Sequence, residues 1–176
     1  MMSAGDLLIV ELPGFAPEIG RLVSMLNYVR STTLTAVAGL SVSELDYLAD
    51  AEANSIGALL SHLAGAEVGY QAATFYGREF SEREHSEWDT AVALGERARQ
   101  EIKGHELAHY VGQLDRVRAT TLAELQRRDD AWLAQEATFG NGRRINNYFK
   151  WFHVLSHEVN HRGQIRFLRR LAANGR

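Results

Sequence analysis

Both prolines of this 176-residue chain, Pro13 and Pro17, lie at its beginning. Nothing beyond residue 17 can therefore break a helix through a missing amide hydrogen or a ring clash. In that proline-free stretch apolar residues recur at three-to-four spacing, the pattern of amphipathic helices. The first stripe starts beside Pro17, a good first-turn residue, and runs Ile19, Leu22, Val23, Leu26, Val29, Val37. A polar connection over 41–54 ends in Asn54 and Ser55, side chains suited to capping a helix N-terminus. The second stripe is Ile56, Leu59, Leu63, Ala66, Tyr70, Ala73 and stops near Gly77. Residues 78–104 are mixed and charged, and are expected to form a long crossover with one short helix around Ala91–Ile102. A third stripe follows as Leu107, Tyr110, Val111, Leu114, Val117, Leu122, Leu125. A fourth helix is expected from about Ile145 to Ala173, preceded by Gly140-Asn141-Gly142. There is no strand alternation and no internal repeat. The expected fold is all-α: a four-helix bundle with a long crossover between helices two and three, residues 1–176 forming one domain.

Composition narrows the chemistry. The chain is 45% hydrophobic and 23% charged, as soluble globular proteins are. A net charge of -3 gives no general affinity for nucleic acid or an anionic membrane. With no cysteine there are no disulfides, thiolate metal ligands or cysteine nucleophile. Any transition-metal site must use nitrogen and oxygen ligands, and any reactive thiol must arrive on a small molecule. The N-terminus has no basic segment followed by an apolar core, and no apolar run approaches ~18 residues, so a cytoplasmic protein is expected.

Histidines carry the strongest functional signal. Chance would place about 0.3 His-x-x-x-His pairs among 7 histidines in this length, and the chain has three. On a helix such a pair shares one face, so both rings can reach one metal ion. The pair His105-Glu106-Leu107-Ala108-His109, read on through Gly112 to Asp115, resembles a metzincin peptidase signature over eleven residues. Three features oppose that likeness. The apolar period continues straight through Gly112 to Leu125, so His109 and Asp115, about 600° apart, point to different sides. The only methionines are Met1, Met2 and Met25, so no methionine turn follows the motif. No strand is evident to bind an extended peptide. His105 and His109 are expected to be exposed and free of metal.

The second pair is His157-Glu158-Val159-Asn160-His161, with His153 one turn earlier. Its face continues through Ile165, Leu168 and Ala172, so the rings point at apolar neighbours. No histidine, Asp or Glu follows His161, and a third ligand must come from upstream. His62 is the obvious candidate; a hydrogen-bonded core histidine is the other reading of it. Its stripe (Leu59, Ala66, Gly69, Ala73) is small and is expected to leave room for a ligand. Either His153 lines the pocket or serves as a proton acceptor, or it is a helix-packing or surface histidine. Glu158 is either a general base or a bonding partner of another helix or of a neighbouring ligand. Arg162 and Gln164 orient ligands or an anion, or make ordinary interhelix bonds. Gly163, costly within a helix, suggests close packing there. With His62 as the third ligand, three neutral imidazoles would leave an open metal position to serve a bound thiol or an activated water.

Taken together, Ile56-Gly57-Ala58-Leu59-Leu60-Ser61-His62-Leu63-Ala64 and His157-x-x-x-His161-Arg162-Gly163-Gln164-Ile165 resemble the DinB/YfiT-like family. The likeness extends to helix order, length and the crossover. It implies a four-helix bundle in which His62, His157 and His161 bind a divalent transition metal, with zinc or nickel expected. It also implies a metal-dependent enzyme acting on a small molecule: a thiol S-transferase or isomerase with a low-molecular-weight thiol as co-substrate. A metal-dependent hydrolase and a non-catalytic metal-binding bundle are the alternatives. His153 and Glu158 are the expected catalytic residues. The fourth helix has a second apolar stripe, Tyr148, Phe152, Leu155, Val159, and a helix apolar on two sides needs cover on both. A homodimer is expected to supply it; the crossover is the other possible cover.

Overall fold

The computed structural model describes residues 7–138 and 142–174. Met1, Met2, Gly140 and Asn141 lie outside them. The four expected long helices are present: α1 (Pro17–Val37), α3 (Ile56–Phe75), α6 (Leu107–Leu125) and α8 (Asn147–Asn174), numbered together with the short helices below. Among the described residues the fold is all-α apart from one short pair of antiparallel strands. α1 lies along α8 and also touches α6, while α3 lies between α6 and α8. Among the described residues no helix is long and apolar enough to cross a membrane.

Local chemistry sets the helix ends. Ser55 caps α3, its hydroxyl accepting the Ala58 amide at 3.1 Å. The first turn of α1 is capped from a distance. Asp130 Oδ1, at the start of short helix α7 (Asp130–Ala134), accepts the amides of Glu18 and Ile19 at 3.0 and 3.3 Å. The chain also departs from the expected pattern. The 41–54 connection holds a one-turn helix, α2 (Val42–Leu45), closed by a Ser41/Glu44 capping box. The crossover contains two helices, α4 (Glu82–Ala93) and α5 (Gly95–Glu101), in place of one over 91–102. They part where Leu94 and Gly95 both adopt positive φ, 56° and 73°. Glycine accepts that conformation freely and leucine does not, so nothing in the residue type announces the break. Two three-residue strands, β1 (Glu136–Thr138) and β2 (Arg144–Asn146), pair antiparallel with Ala137 opposite Ile145. Three residues are too few for alternation to be read. Ile145 is thus in a strand, and α8 begins two residues later.

Buried side chains form two patches. One joins α3, α6 and the C-terminal half of α8 through Leu59, Leu60, Leu63, Tyr110, Leu114, Ile165 and Leu168. The other joins α1, α7 and the N-terminal half of α8 through Ile19, Leu22, Leu26, Leu133 and Trp151. At Gly57, α3 packs directly against the Tyr110 side chain of α6. A Cβ there would stand 2.6 Å from the ring carbon and hydroxyl of the fully buried Tyr110. Gly57→Ala is accordingly expected to destabilise the fold by ~1–3 kcal/mol, read as a lowered urea midpoint, despite alanine's better helix propensity. An unchanged or raised midpoint would show that Tyr110 has room to move.

Candidate metal centre

His62 comes from the middle of α3, and His157 and His161 come from successive turns of α8. Because α3 and α8 pack face to face, the three rings converge. Nε2 of His157 lies 3.1 Å from Nε2 of His62 and 3.0 Å from Nε2 of His161. One nitrogen of each ring lies within 4.8 Å of the other two. Nitrogens bound tetrahedrally to zinc at 2.0–2.1 Å stand about 3.3 Å apart, so this spacing suits one ion. All three rings are partly buried.

The hydrogen bonds behind the rings select their tautomers. His62 Nδ1 lies 3.0 Å from the carbonyl oxygen of Ala91, which can only accept. Nδ1 therefore carries the proton and Nε2 the lone pair. That carbonyl belongs to the last turn of α4. The amide that would continue the helix, Gly95 N–H, donates instead to Asn54 Oδ1 at 3.1 Å. The break at Leu94 thus leaves a helix-end carbonyl for His62. His161 Nδ1 pairs with Gln164 Oε1 at 3.0 Å, which likewise turns its Nε2 lone pair inward. Two inward lone pairs face His157 Nε2, and one proton there can serve only one of them. A cation satisfies all three nitrogens, and the donor set therefore fits a divalent ion. Burial lowers the His62 pKa, with His161 adding to the effect and the Ala91 bond opposing it. Burial, reinforced by His161, His62 and His153, holds His157 at about 4. Both shifts favour the neutral imidazole, the form that metal binding requires.

Glu158 does not point into this cluster. It is buried, and both carboxylate oxygens go to arginines: Oε1 accepts Arg30 Nε at 2.9 Å, and Oε2 accepts Arg30 Nη2 at 3.3 Å and Arg118 Nη2 at 3.4 Å. Those arginines also hold Glu67. Its Oε1 accepts Arg118 Nε at 2.8 Å and the Thr121 hydroxyl at 2.6 Å, while Oε2 accepts Arg118 Nη2 at 3.0 Å and Arg30 Nη2 at 3.1 Å. Arg30, Glu67, Arg118 and Glu158 form a charge-balanced ring with one member on each long helix. Burial alone would raise the Glu67 pKa; the two arginines and the Thr121 bond outweigh it and hold the carboxyl at about 2. The expectation of Glu158 as a general base gives way to a bonded, inward-facing carboxylate. The ring itself was missed in the sequence, although it left a signal: a charge in the core register of all four long helices, summing to zero.

The other expected residues divide. His153 is exposed, its ring centroid 5.8 Å from those of His157 and Tyr70. Gln164 orients His161, while Arg162 donates to the Thr32 hydroxyl on α1. Gly163 marks no close approach, since a Cβ there would meet nothing within 4 Å. The crossover covers part of the small stripe of α3: Gly69 faces Phe80, and Gly65 beside the stripe faces Trp88 and Val92, while Ala66 lines a small cavity next to His157. These contacts bring α4 against α3 and its Ala91 carbonyl to His62, where room for a ligand was expected. His105 precedes α6 and His109 lies in its first turn; both are exposed, with their rings stacked 4.0 Å apart. α6 continues unbroken through Gly112 to Leu125, unlike a metzincin metal helix.

A family model described as Mycothiol-S-transferase matches residues 21–174. No curated protein matches the chain.

Proposed function

Because the chain belongs to the mycothiol S-transferase family, within the DinB/YfiT-like group, we propose that it transfers a low-molecular-weight thiol to a small electrophile at a metal centre. Mycothiol, the thiol in the family's description, is the proposed co-substrate. The observation that carries this reading is the convergence of His62, His157 and His161 Nε2 in a chain of that family. A divalent ion there, proposed as zinc or nickel, would supply positive charge that favours the thiolate at neutral pH. The four long helices are read as a four-helix bundle and residues 1–176 as one domain.

The chain's own residues then have distinct parts. Ala91 O and Gln164 Oε1 fix His62 and His161 with their lone pairs inward. His153, exposed beside His157, is assigned the thiol proton. The freed sulfur attacks the electrophilic carbon, and the leaving group departs with its electron pair. With no cysteine in the chain, the sulfur is wholly the co-substrate's. Glu158 holds helices in place and transfers no proton.

The test is elemental analysis of protein purified without an affinity tag, followed by turnover of electrophiles with and without mycothiol. About one transition-metal ion per chain and strictly thiol-dependent turnover are expected, with a thiolate-to-metal absorption band in the cobalt form. Equal turnover of an ester without thiol would make the chain a hydrolase instead. A full metal complement with neither band nor turnover would make it a non-catalytic binder.

A homodimer through α8 is also proposed. Tyr148 and Leu155 pack into the chain's own second core patch, but Phe152 and Val159 remain 49% and 38% exposed. Phe149 and Phe167, at 53% and 51%, extend that outer face along the helix. Light scattering at micromolar concentration is expected to give twice the 19.7 kDa chain mass. A monomer mass would refute the dimer.

A further inference from the structure

Two of the three histidines have a hydrogen-bond partner behind the ring, at 3.0 Å in each case. Among the described residues, no protein atom takes that place for His157 Nδ1. Metal-ligating histidines nearly always donate their second nitrogen to a carboxylate, a carbonyl or a water. Beside His157, between α3 and α8, lies a small cavity bounded by Glu158, Glu67, Tyr70, Leu63 and Ala66. It offers about 10 Å³ to the centre of a water-sized sphere, roughly what one water needs.

Counting bonds tells which wall of the cavity has capacity left. A carboxylate offers about four acceptor positions. Glu67 fills four, from Arg30 once, Arg118 twice and Thr121 once, all at 3.1 Å or less. Glu158 receives three, two of them stretched to 3.3 and 3.4 Å, so one position on it is open. Tyr70, half-buried, lines the same space.

We propose that this cavity is a water site, in which one water accepts the His157 Nδ1 proton and donates to the open position of Glu158. The water ties the metal ligand on α8 to the buried charge ring, and so to all four long helices. Glu158 is then a positioning residue: through the water it fixes the ring rotation and tautomer of His157, which presents Nε2 to the ion. The water completes a set of which Ala91 O and Gln164 Oε1 are the other two members. The cavity is too small for substrate.

This inference rests on the metal reading above, and two measurements keep their failures apart. Crystal structures of the metal-free and zinc-loaded chain should both show one water within ~2.7–3.2 Å of His157 Nδ1 and a Glu158 oxygen. A dry cavity in both, or Nδ1 bonded directly to protein, overturns the proposal. The second measurement is cobalt(II) affinity and visible spectrum. Ala66→Val fills the cavity and should weaken cobalt binding ~10–100-fold with a shifted d–d band, the usual cost of losing a ligand's supporting bond. Ala73→Val, on an exposed part of the same helix, should change neither. Wild-type cobalt behaviour in Ala66→Val overturns the proposal. If the unaltered chain binds no cobalt, the metal reading fails, and the metal-free crystal still decides the water.

Discussion

Arg118→Ala is expected to destabilise the protein by about 3–5 kcal/mol, a drop in melting temperature of about 10 °C or more for a chain of this size. Arg118 donates to both oxygens of Glu67, to Glu158 and to the Leu26 carbonyl at 3.1 Å, and it is 6% exposed. Removing it strips Glu67 of its best partner while Arg30 holds the carboxylate in place. An uncompensated buried charge costs far more than an intact pair contributes. The acid limb of stability should change with it. The folded pKa of Glu67, about 2, lies below its usual value of 4.5. Its contribution is therefore fully present above about pH 4.5 and is lost as pH falls from there through 2. In Arg118→Ala the folded pKa moves back up, so melting temperature should depend less on pH between about 5 and 2. Parallel acid limbs in the two proteins would show that the ring does not set the acid stability.

His161→Ala is expected to remove metal and turnover together while leaving the fold intact. The ring is only partly buried, and its loss leaves no charge unpaired. Two imidazoles remain, on different helices, and two nitrogens hold a divalent ion far less well than three. The fall in affinity should exceed the ~100-fold typical of losing a ligand's supporting bond. Circular dichroism and the melting curve of the metal-free forms should match the unaltered chain. Turnover that survives in a variant shown to contain no metal would make the metal structural and refute the assignment of chemistry to it.

Helix positions were legible because four long apolar stripes with no proline between them have few other readings. The two histidine pairs could be told apart on the same ground. The face of His157 and His161 continues into Ile165 and Leu168, both buried, while His105 and His109 have no apolar continuation and are exposed. What escaped was set by backbone or by distance in the chain. Leu94 takes positive φ against its own preference, and that one residue divides the crossover into two helices. Gly69 of α3 promised space and is matched by Phe80, as Gly65 is by Trp88 and Val92, all from a segment without a clear period of its own. Arg30 and Arg118 read as polar interruptions when each helix is taken alone, and their signal emerges only when the core registers of all four helices are compared. Only their carboxylate partners on other helices make burial tolerable.

The bond from His62 to the Ala91 carbonyl bears on how such a site can change over generations. A side-chain acceptor disappears with one codon. A main-chain carbonyl is common to every amino acid, so no substitution at position 91 deletes it. Mutational risk to the His62 tautomer is displaced onto Leu94 and Gly95, whose turn keeps that carbonyl out of the helix ladder, and onto Asn54, which holds the competing amide. The outward face of α4 is left free to drift.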